Sequence, residues 1–367
     1  MHAPVRHAAV NRRDALCWLG GLLTAPMAVS HAYAKAPASD DLRLAAAWQQ
    51  ADGSYRIGVL AAGRSASGAP LRVIDSMEVP TRAHGVHALP DGSIVATARR
   101  PGDWLVRWHP GRAAPATWHW VDATRSFNGH VIGRPDGRAL YTTETDIDTG
   151  ASLIARRDAR SLQTEAEWPT HGIDAHELIW APAAAGGKGT GRTLIVANGG
   201  VPTAPETGRV KRDLHTHLAW NADRTVLGIA LQAEHDEAAI KHSAPILALF
   251  DGQALRVMSA PQAVASSIHG YGGSIAATPM GWAVSCPRAD GIATFAPQGD
   301  WLRLVALPDV CALAVDRQQL WAAGVNHSLQ DAMQVAPASP LRHAHAKELD
   351  GARMDNHWTI ASDGADR

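Results

Sequence analysis

Apolar residues along this chain occur in short runs separated by turn residues, rather than at the spacing of an amphipathic helix. Residues 86–89, 93–98 and 104–108 form three such runs, and Pro90-Asp91-Gly92 separates the first two. Short apolar runs bounded by glycine, proline and aspartate are typical of β-strands joined by tight turns. The pattern therefore predicts an all-β chain.

The predicted strands recur in groups of three or four, and three histidines mark the recurrence. His84, His130 and His176 are each separated from the next by 46 positions, and each opens a short apolar run. A period of about 40–50 residues with several strands per period is typical of a β-propeller, in which each group forms one blade. We therefore expect the three histidines to begin the innermost strands of successive blades and to face the central axis.

Residues 35–367 predict a single propeller domain of seven blades. Between residues 231 and 260 the pattern lacks an inner strand pair, and six blades follow if that stretch is an insertion. Strands from the two ends of the chain are expected to pair with each other, because this closes the ring and leaves no free sheet edge.

Residues 1–34 predict a secretory leader. The pair Arg12-Arg13 precedes an apolar stretch, and Ala32-Tyr33-Ala34 has the form of a cleavage site. These features indicate export rather than a membrane span. The arginine pair favours the Tat pathway, with an ordinary Sec leader as the alternative. We expect a periplasmic protein with no membrane span in the mature chain.

Composition adds two constraints. A hydrophobic content of 46% allows a large core, and a formal net charge of −1 gives no support for nucleic acid as a partner. The mature chain has two cysteines, Cys286 and Cys311. In an oxidising compartment they either form a disulfide or are separate, buried apolar residues.

An ordered set of motifs spans residues 82–295. The motifs are Ala98-Arg99-Arg100-Pro101-Gly102-Asp103, Gly129-His130, Tyr141-Thr142-Thr143-Glu144, Pro169-Thr170-His171-Gly172-Ile173, Ala175-His176-Glu177, Val196-Ala197-Asn198-Gly199-Gly200 and Asp251-Gly252. The set resembles a family of Tat-exported bacterial β-propellers described only as a domain of unknown function. Genes of that family often lie beside imelysin-type and di-haem-peroxidase-like proteins in iron-uptake clusters. The resemblance implies a role in iron uptake, with those proteins as partners.

Two stretches depart from the family pattern. At Lys241-His242-Ser243-Ala244 the chain lacks the inner strand pair that follows an Arg-His pair in the family. His215 and His217 are not features that we associate with the family, and we interpret both as local.

Histidines that converge on a propeller axis offer nitrogen ligands, which suit a transition metal. We expect His84, His130, His176 and His242 to form such a site at the mouth of the channel, with iron or copper favoured over zinc. The alternative is structural. In WD-type repeats the histidine of a Gly-His pair is hydrogen-bonded within its own blade, and Gly129-His130 has that form.

Five further residues are candidates for the same site. Glu177 could supply an oxygen ligand or orient a histidine, and Glu144 could face a ligand at the end of its strand. Arg99 and Asn198 end the second strands of their blades, where an arginine could bind a carboxylate or phosphate group. His171 is an odd number of residues from His176, so it reaches the same face only if the chain bends at Gly172.

Two other functional classes remain open. Lactonase-like propellers share turns such as Pro135-Asp136-Gly137-Arg138 and use a metal-bound water held by acids and asparagine, in which case Glu144 and Asn198 matter most. The third class is an interaction platform with structural histidines. The sequence contains no nucleophile elbow or Cys-x-x-Cys-His motif, so enzymatic activity stays undecided.

Overall fold

The computed structural model describes residues 41–64, 70–182, 193–200, 216–233, 235, 237–333 and 340–361. The predicted leader lies outside the described residues. Within these ranges no helix is long and apolar enough to cross a membrane. The regular structure of the described residues is mainly β-strand, and the strands are joined by turns in which glycines such as Gly92 (φ 80°) and Gly137 (φ 68°) adopt the left-handed conformation. The predicted Pro-Asp-Gly turns are confirmed.

The chain folds as a β-propeller with six blades of four or five antiparallel strands. The first three blades contain β1 (Asp41–Gln49), β2 (Tyr55–Gly63) and β3 (Arg72–Val79); β4 (Ala83–Ala88), β5 (Ile94–Ala98), β6 (Trp104–Trp108) and β7 (Thr117–Trp120); and β8 (Arg125–Gly133), β9 (Ala139–Asp146), β10 (Ser152–Asp158) and β11 (Thr164–Pro169).

A two-stranded sheet follows the third blade, formed within the described residues by β12 (Ala175–Trp180) and β13 (Leu194–Asn198). Three four-stranded blades then contain β14 (His217–Trp220), β15 (Leu227–Ala230), β16 (Leu247–Phe250) and β17 (Leu255–Met258); β18 (Ile275–Thr278), β19 (Gly281–Cys286), β20 (Gly291–Phe295) and β21 (Trp301–Ala306); and β22 (Ala312–Asp316), β23 (Gln319–Ala323), β24 (His327–Gln330) and β25 (Leu341–Ala344).

The two ends of the chain close the ring. Two short C-terminal strands, β26 (Arg353–Met354) and β27 (Thr359–Ile360), both pair with β1 along its inner edge. The sheet is ordered β26-β1-β2-β3, with β27 on the same edge of β1 as β26. The predicted pairing of terminal strands is therefore confirmed. The inner strands contact one another in the cyclic order β27, β4, β8, β12, β14, β18, β22 and back to β27.

The division of strands near residues 231–260 differs from the prediction. The blade that contains residues 231–260 was expected to lack an inner strand pair, but β14 and β15 supply that pair and are followed by β16 and β17 in the same sheet. That blade is complete. The segment between β15 and β16 contains the short helix α1 (Ala238–Ser243), and α2 (Gln262–Ile268) follows β17 and packs against α1. Strand pairing depends on which edges meet in space, and a hydrophobic pattern along the chain does not specify this.

The core lies between neighbouring sheets. Four indole rings are among the largest fully buried side chains, those of Trp48, Trp104, Trp282 and Trp321. Flat, wide rings fill the gaps that twisted sheets leave when they pack face to face. Cys286 is buried and Cys311 is half-buried, and both are free thiols. Burial raises the pKa of each thiol to about 12. Of the two alternatives for the cysteines, the structure has the unbridged one.

A buried ion pair stabilises the third blade. Glu144 on β9 is fully buried, and its Oε1 lies 2.7 Å from Nη2 of Arg157 on β10. Arg157 also donates from Nη1 to the carbonyl of Leu162 at 2.9 Å, and Thr142 donates to Glu144 Oε1 at 2.5 Å. Glu144, expected to face a ligand, is instead committed to this network.

Replacing Arg157 by methionine is expected to lower the free energy of unfolding by about 3–5 kcal/mol, because it leaves a buried carboxylate without its partner. The adjacent pair provides a control. Arg156 and Glu165 lie 2.9 Å apart with side chains 42% and 40% exposed, and Arg156→Met is expected to cost less than about 1 kcal/mol. Urea denaturation measures both. Equal losses in the two variants would contradict the role assigned to the buried pair.

Candidate metal centre

Four buried histidines meet at the inner strands of the propeller. His84 lies on β4, His130 on β8, His176 on β12 and His217 at the first position of β14. Their exposed fractions are 1%, 4%, 0% and 1%. Each offers one ring nitrogen, and the four nitrogens all lie within 4.8 Å of one another. The convergence predicted for His84, His130 and His176 is therefore present.

A local irregularity of the strands directs three of these side chains. The register of β4 against β5 shifts between Ala83 and Val86, and that of β12 against β13 between Ala175 and Leu178. A third shift, in β8 against β9, occurs between Phe127 and Val131 and contains His130. A β-bulge places extra residues on one strand, bends it and re-aims a side chain. Each of the three histidines lies inside such a bulge.

Two glycines allow β4 and β8 to approach closely. A Cβ atom on Gly85 would lie 2.5 Å from the carbonyl oxygen of Gly129, and one on Gly129 would lie 2.9 Å from Cδ2 of His84. Gly129 also has a φ of 99°, which L side chains rarely adopt. The imidazoles of His84 and His130 therefore meet because Gly85 and Gly129 have no side chains that would separate the two strands.

Two of the separations between ring nitrogens are close to those of metal ligands. Nε2 of His176 lies 3.4 Å from Nε2 of His84 and 3.1 Å from Nε2 of His130. Nitrogen ligands about 2.0–2.1 Å from a tetrahedral metal ion lie about 3.3–3.4 Å from one another. The contacts join different sheets, whereas the structural alternative required a hydrogen bond within one blade.

A fifth imidazole adjoins the cluster. His357, in the segment between β26 and β27, is half-buried, and its Nε2 lies 3.0 Å from Nε2 of His217. Its ring centroid is 5.0 Å from that of His84 and 4.7 Å from that of His130. We call these five residues the histidine cluster: His84, His130, His176, His217 and His357.

Contacts on the far side of the rings orient the ligand nitrogens. Nδ1 of His217 contacts the carbonyl oxygen of Gly273, and Nδ1 of His84 lies 3.4 Å from Oδ1 of Asp355. A carbonyl oxygen only accepts hydrogen bonds, so Nδ1 of His217 carries the proton and Nε2 keeps its lone pair. A carboxylate favours the same tautomer at His84. Both Nε2 atoms therefore present lone pairs to the centre of the cluster.

The imidazoles of His217 and His357 are uncharged near neutral pH. Burial lowers the pKa of His217 well below its usual value, and the neighbouring His357 lowers it further. Burial also lowers the pKa of His357 to about 4. Neutral imidazole is the form that binds a metal ion.

Hydrogen bonds to the backbone hold His176 in place. The hydroxyl of Thr143 donates to the carbonyl oxygen of His176 at 2.8 Å, and the amide of Asn128 donates to the carbonyl oxygen of Ala175 at 2.8 Å. All of these groups are buried. The backbone that carries the His176 ring is therefore fixed in position, as a preformed metal site requires.

Comparison with known proteins identifies the family. The sequence profile of a family described as "Protein of unknown function (DUF1513)" matches residues 77–216 and 215–361. The chain belongs to this family. No protein of curated function matches the chain. The resemblance drawn from the motifs is thus confirmed as far as a domain of unknown function.

Solved structures similar to this DUF1513 chain are distant. The periplasmic gluconolactonase of Pseudomonas aeruginosa is 16% identical over 72% of this chain and 86% of its own, with a TM-score of 0.47. The hydrazine synthase of Kuenenia stuttgartiensis is 10% identical over 80% and 95%, with a TM-score of 0.48. A chain of a nidogen/laminin complex is 12% identical over 87% and 98%, with a TM-score of 0.47. These likenesses carry no argument about activity.

His242 does not belong to the histidine cluster of this DUF1513 chain. It lies on helix α1, half-buried, with its ring centroid 4.3 Å from that of His269. The expectation that His242 begins an inner strand is wrong, because the inner strand of that blade is β14, which begins with His217. His217, interpreted as local, takes the place assigned to His242. His215 lies outside the described residues.

Three other candidates, His171, Glu177 and Asn198, lie outside the group of clustered ring nitrogens. His171 is exposed, with a φ of 57°, and is not among the clustered histidines. The carboxylate of Glu177 accepts a hydrogen bond from the backbone N–H of Leu218, and burial raises the pKa of Glu177 to about 8. The exposed Asn198 accepts a hydrogen bond from the hydroxyl of Thr170 at 2.8 Å. Glu177 and Asn198 therefore connect chain segments around the site.

Arg99 lines a cavity of about 230 Å³ beside the cluster. His84, Arg82, Tyr271 and Asp355 line it as well. Arg82 donates from Nε to Asp355 at 2.5 Å and from Nη2 at 3.2 Å, and Asp355 in turn faces His84. The cavity thus meets the cluster through the carboxylate that orients His84.

The sequence contains a signal for His357 and Asp355 that the 46-residue step does not include. Asp355-Asn356-His357 repeats the order of Asn128-Gly129-His130 and Asp174-Ala175-His176, in which an Asp or Asn stands two residues before the histidine. A search for that pattern in place of a constant spacing would have found His357.

Replacing Gly129 by alanine is expected to destabilise the protein by about 2–4 kcal/mol, since the new Cβ meets the ring of His84 and the backbone conformation is strained. Gly150→Ala is the control, because Gly150 has a φ of 70° and no atom within 4 Å of an added Cβ. It is expected to cost only the backbone strain, about 1–2 kcal/mol. Thermal and urea unfolding measure the difference, and equal losses would contradict close packing at His84.

Proposed function

We propose that this protein binds a transition metal ion, iron or copper, in the histidine cluster. The observation that carries the proposal is the convergence of four buried ring nitrogens within 4.8 Å of one another. His84, His130, His176 and His217 are the proposed ligands, and His357 is a fifth at the rim. Asp355 and the carbonyl of Gly273 orient two of them.

The chemistry of the donors restricts the class of ion. Imidazole nitrogen binds iron, copper, nickel and zinc, whereas calcium and magnesium require oxygen ligands. The Nε2 atoms of His84 and His217 carry lone pairs directed at the centre of the cluster. Such an arrangement is stabilised by a cation that accepts both lone pairs. A transition metal ion supplies that interaction.

The proposed setting is iron acquisition in the bacterial periplasm, with the protein as an accessory or redox component. Support comes from the motif set of the sequence and from the predicted leader. Imelysin-type and di-haem-peroxidase-like proteins are the partners that this setting implies.

Two alternatives are tested by the same measurements. A lactonase-like hydrolase would need Glu144 and Asn198 at the metal, but Glu144 is paired with Arg157 and Asn198 contacts Thr170. An interaction platform would keep the histidines for stability only. Metal content separates the first proposal from the platform, and activity that survives loss of the cluster histidines would favour the hydrolase.

Protein purified from its own periplasm is expected to hold about one iron or copper ion per chain. His130→Ala and His176→Ala are each expected to lower the metal content at least about tenfold, because each removes one ligand. His242→Ala is the matched control and is expected to keep the wild-type content, since His242 lies on α1. Elemental analysis of the four proteins measures this.

Stoichiometric metal in none of these proteins would refute the metal proposal. Unchanged metal content in His130→Ala and His176→Ala, together with lower melting temperatures, would favour structural histidines.

Export by the Tat pathway has its own test. Replacing Arg12 and Arg13 by lysine is expected to leave the full-length precursor in the cytoplasm, because the pathway recognises the arginine pair. Arg6→Lys is the control and is expected to leave export unchanged. Fractionation followed by immunoblotting measures the distribution, and export of the double variant at the wild-type level would indicate a Sec leader instead.

A further inference from the structure

We propose that the histidine cluster takes up iron in its reduced, ferrous state and discriminates against ferric iron. The inference rests on the proposed function and adds the oxidation state of the ion. It follows from the charge of the ligands, the burial of the site and the state of the acidic groups around it.

The ligands of the cluster are neutral. All four members of the group whose ligand atoms lie within 4.8 Å are histidines, and among the described residues no carboxylate or thiol belongs to that group. Hard, highly charged ions favour anionic oxygen ligands, whereas imidazole suits the divalent ions. Ferric iron in this site would keep its whole charge of three, because no ligand offsets any of it.

Burial makes that charge costly. The four rings are 0–4% exposed, so water contributes little to the solvation of an ion between them. The cost of moving an ion into a medium of low dielectric constant rises with the square of its charge. The penalty for a trivalent ion therefore exceeds that for a divalent ion by a factor of about two. Neutral ligands and burial thus favour ferrous iron together.

The acidic side chains near the cluster are already engaged. Asp355 faces His84 but binds Arg82 through both oxygens. Asp174, two residues before His176, forms a buried ion pair with Arg100. Each pair contributes a net charge close to zero. The carboxylate of Glu177 accepts a hydrogen bond from the backbone of Leu218 instead of pointing an oxygen into the clustered group.

The oxidation state places the protein in a reaction sequence. The ion reaches the cluster already reduced, so a reaction that reduces ferric iron by one electron, or a source of ferrous iron, must precede binding. The chain itself transfers no electron, which favours the accessory role over the redox role. Its contribution is to hold the ferrous ion in a site from which water is excluded.

The test compares two oxidation states on the intact, metal-free protein. Under anaerobic conditions ferrous ammonium sulfate is expected to leave about one iron per chain after desalting. Ferric nitrilotriacetate is expected to leave at least about tenfold less than ferrous iron supplied with the same concentration of nitrilotriacetate, because of the extra charge. Oxidising the ferrous-loaded protein by one electron with hexachloroiridate is expected to release the iron.

A pair of variants tests the cause. His357→Asp places an anionic oxygen at the rim of the cluster and is expected to raise ferric retention severalfold. His242→Asp adds the same group on α1 and is expected to leave it unchanged. The comparison of the two ions on wild-type protein stands even if His357→Asp fails to fold.

The outcomes separate this inference from the proposed function. Ferric retention equal to or above ferrous retention would overturn the inference and leave the metal site intact. Retention of copper but of neither iron ion would also overturn the inference and leave the proposed metal site intact. Retention of no ferrous, ferric, copper or zinc ion would overturn the proposed function as well.

Discussion

The convergence of imidazoles on the propeller axis depends on the close approach of neighbouring inner strands. Glycines without side chains allow β4 and β8 to meet, and bulges in β4, β8 and β12 turn one histidine of each strand towards the centre. In a regular strand, successive side chains point to alternate faces of the sheet. Without the bulges, the position of each histidine in its strand would decide whether its ring faced the blade core or the axis. Three of the six register shifts among the described strands lie at the candidate metal centre, and bulges are common near functional sites.

Three ion pairs lie in or beside the strands that carry the clustered histidines. Arg157–Glu144 within the third blade, Arg100–Asp174 beside His176 and Arg82–Asp355 beside His84 each pair an arginine with an acid of low exposure. Pairing offsets the charge of each buried carboxylate, because an unpaired one would be destabilised by several kcal/mol. It also leaves the cluster itself with little net charge before an ion binds. A bound metal ion would then be the main charge at the axis. Because the ligands are neutral, the cost of burying that charge would decide which oxidation state of the ion is bound.

The features of the fold and of the histidine cluster that could be predicted are those that depend on local interactions. The strands around the Pro-Asp-Gly turns, the propeller architecture and the inner positions of His84, His130 and His176 were all predictable, because period and turn chemistry are properties of short segments. His242 was expected to converge with the other three histidines from a blade that lacks its inner strand pair. That expectation failed because α1 occupies that stretch and β14 supplies the inner strand. His217 was therefore missed, although it opens an apolar run as the other three do.

By itself the sequence determined most of the strands, the propeller architecture, the ring closure and three of the five clustered histidines, since each depends on a local pattern or on the need to satisfy sheet edges. Only the tertiary structure decided which strands share a blade and which residues complete the cluster. His357 contacts His217 across 140 positions, and Asp355 orients His84 from the opposite end of the chain. These contacts exist because the C-terminal strands close the ring against β1. A closure between the two ends of a chain brings together residues whose spacing along it carries no information about their distance.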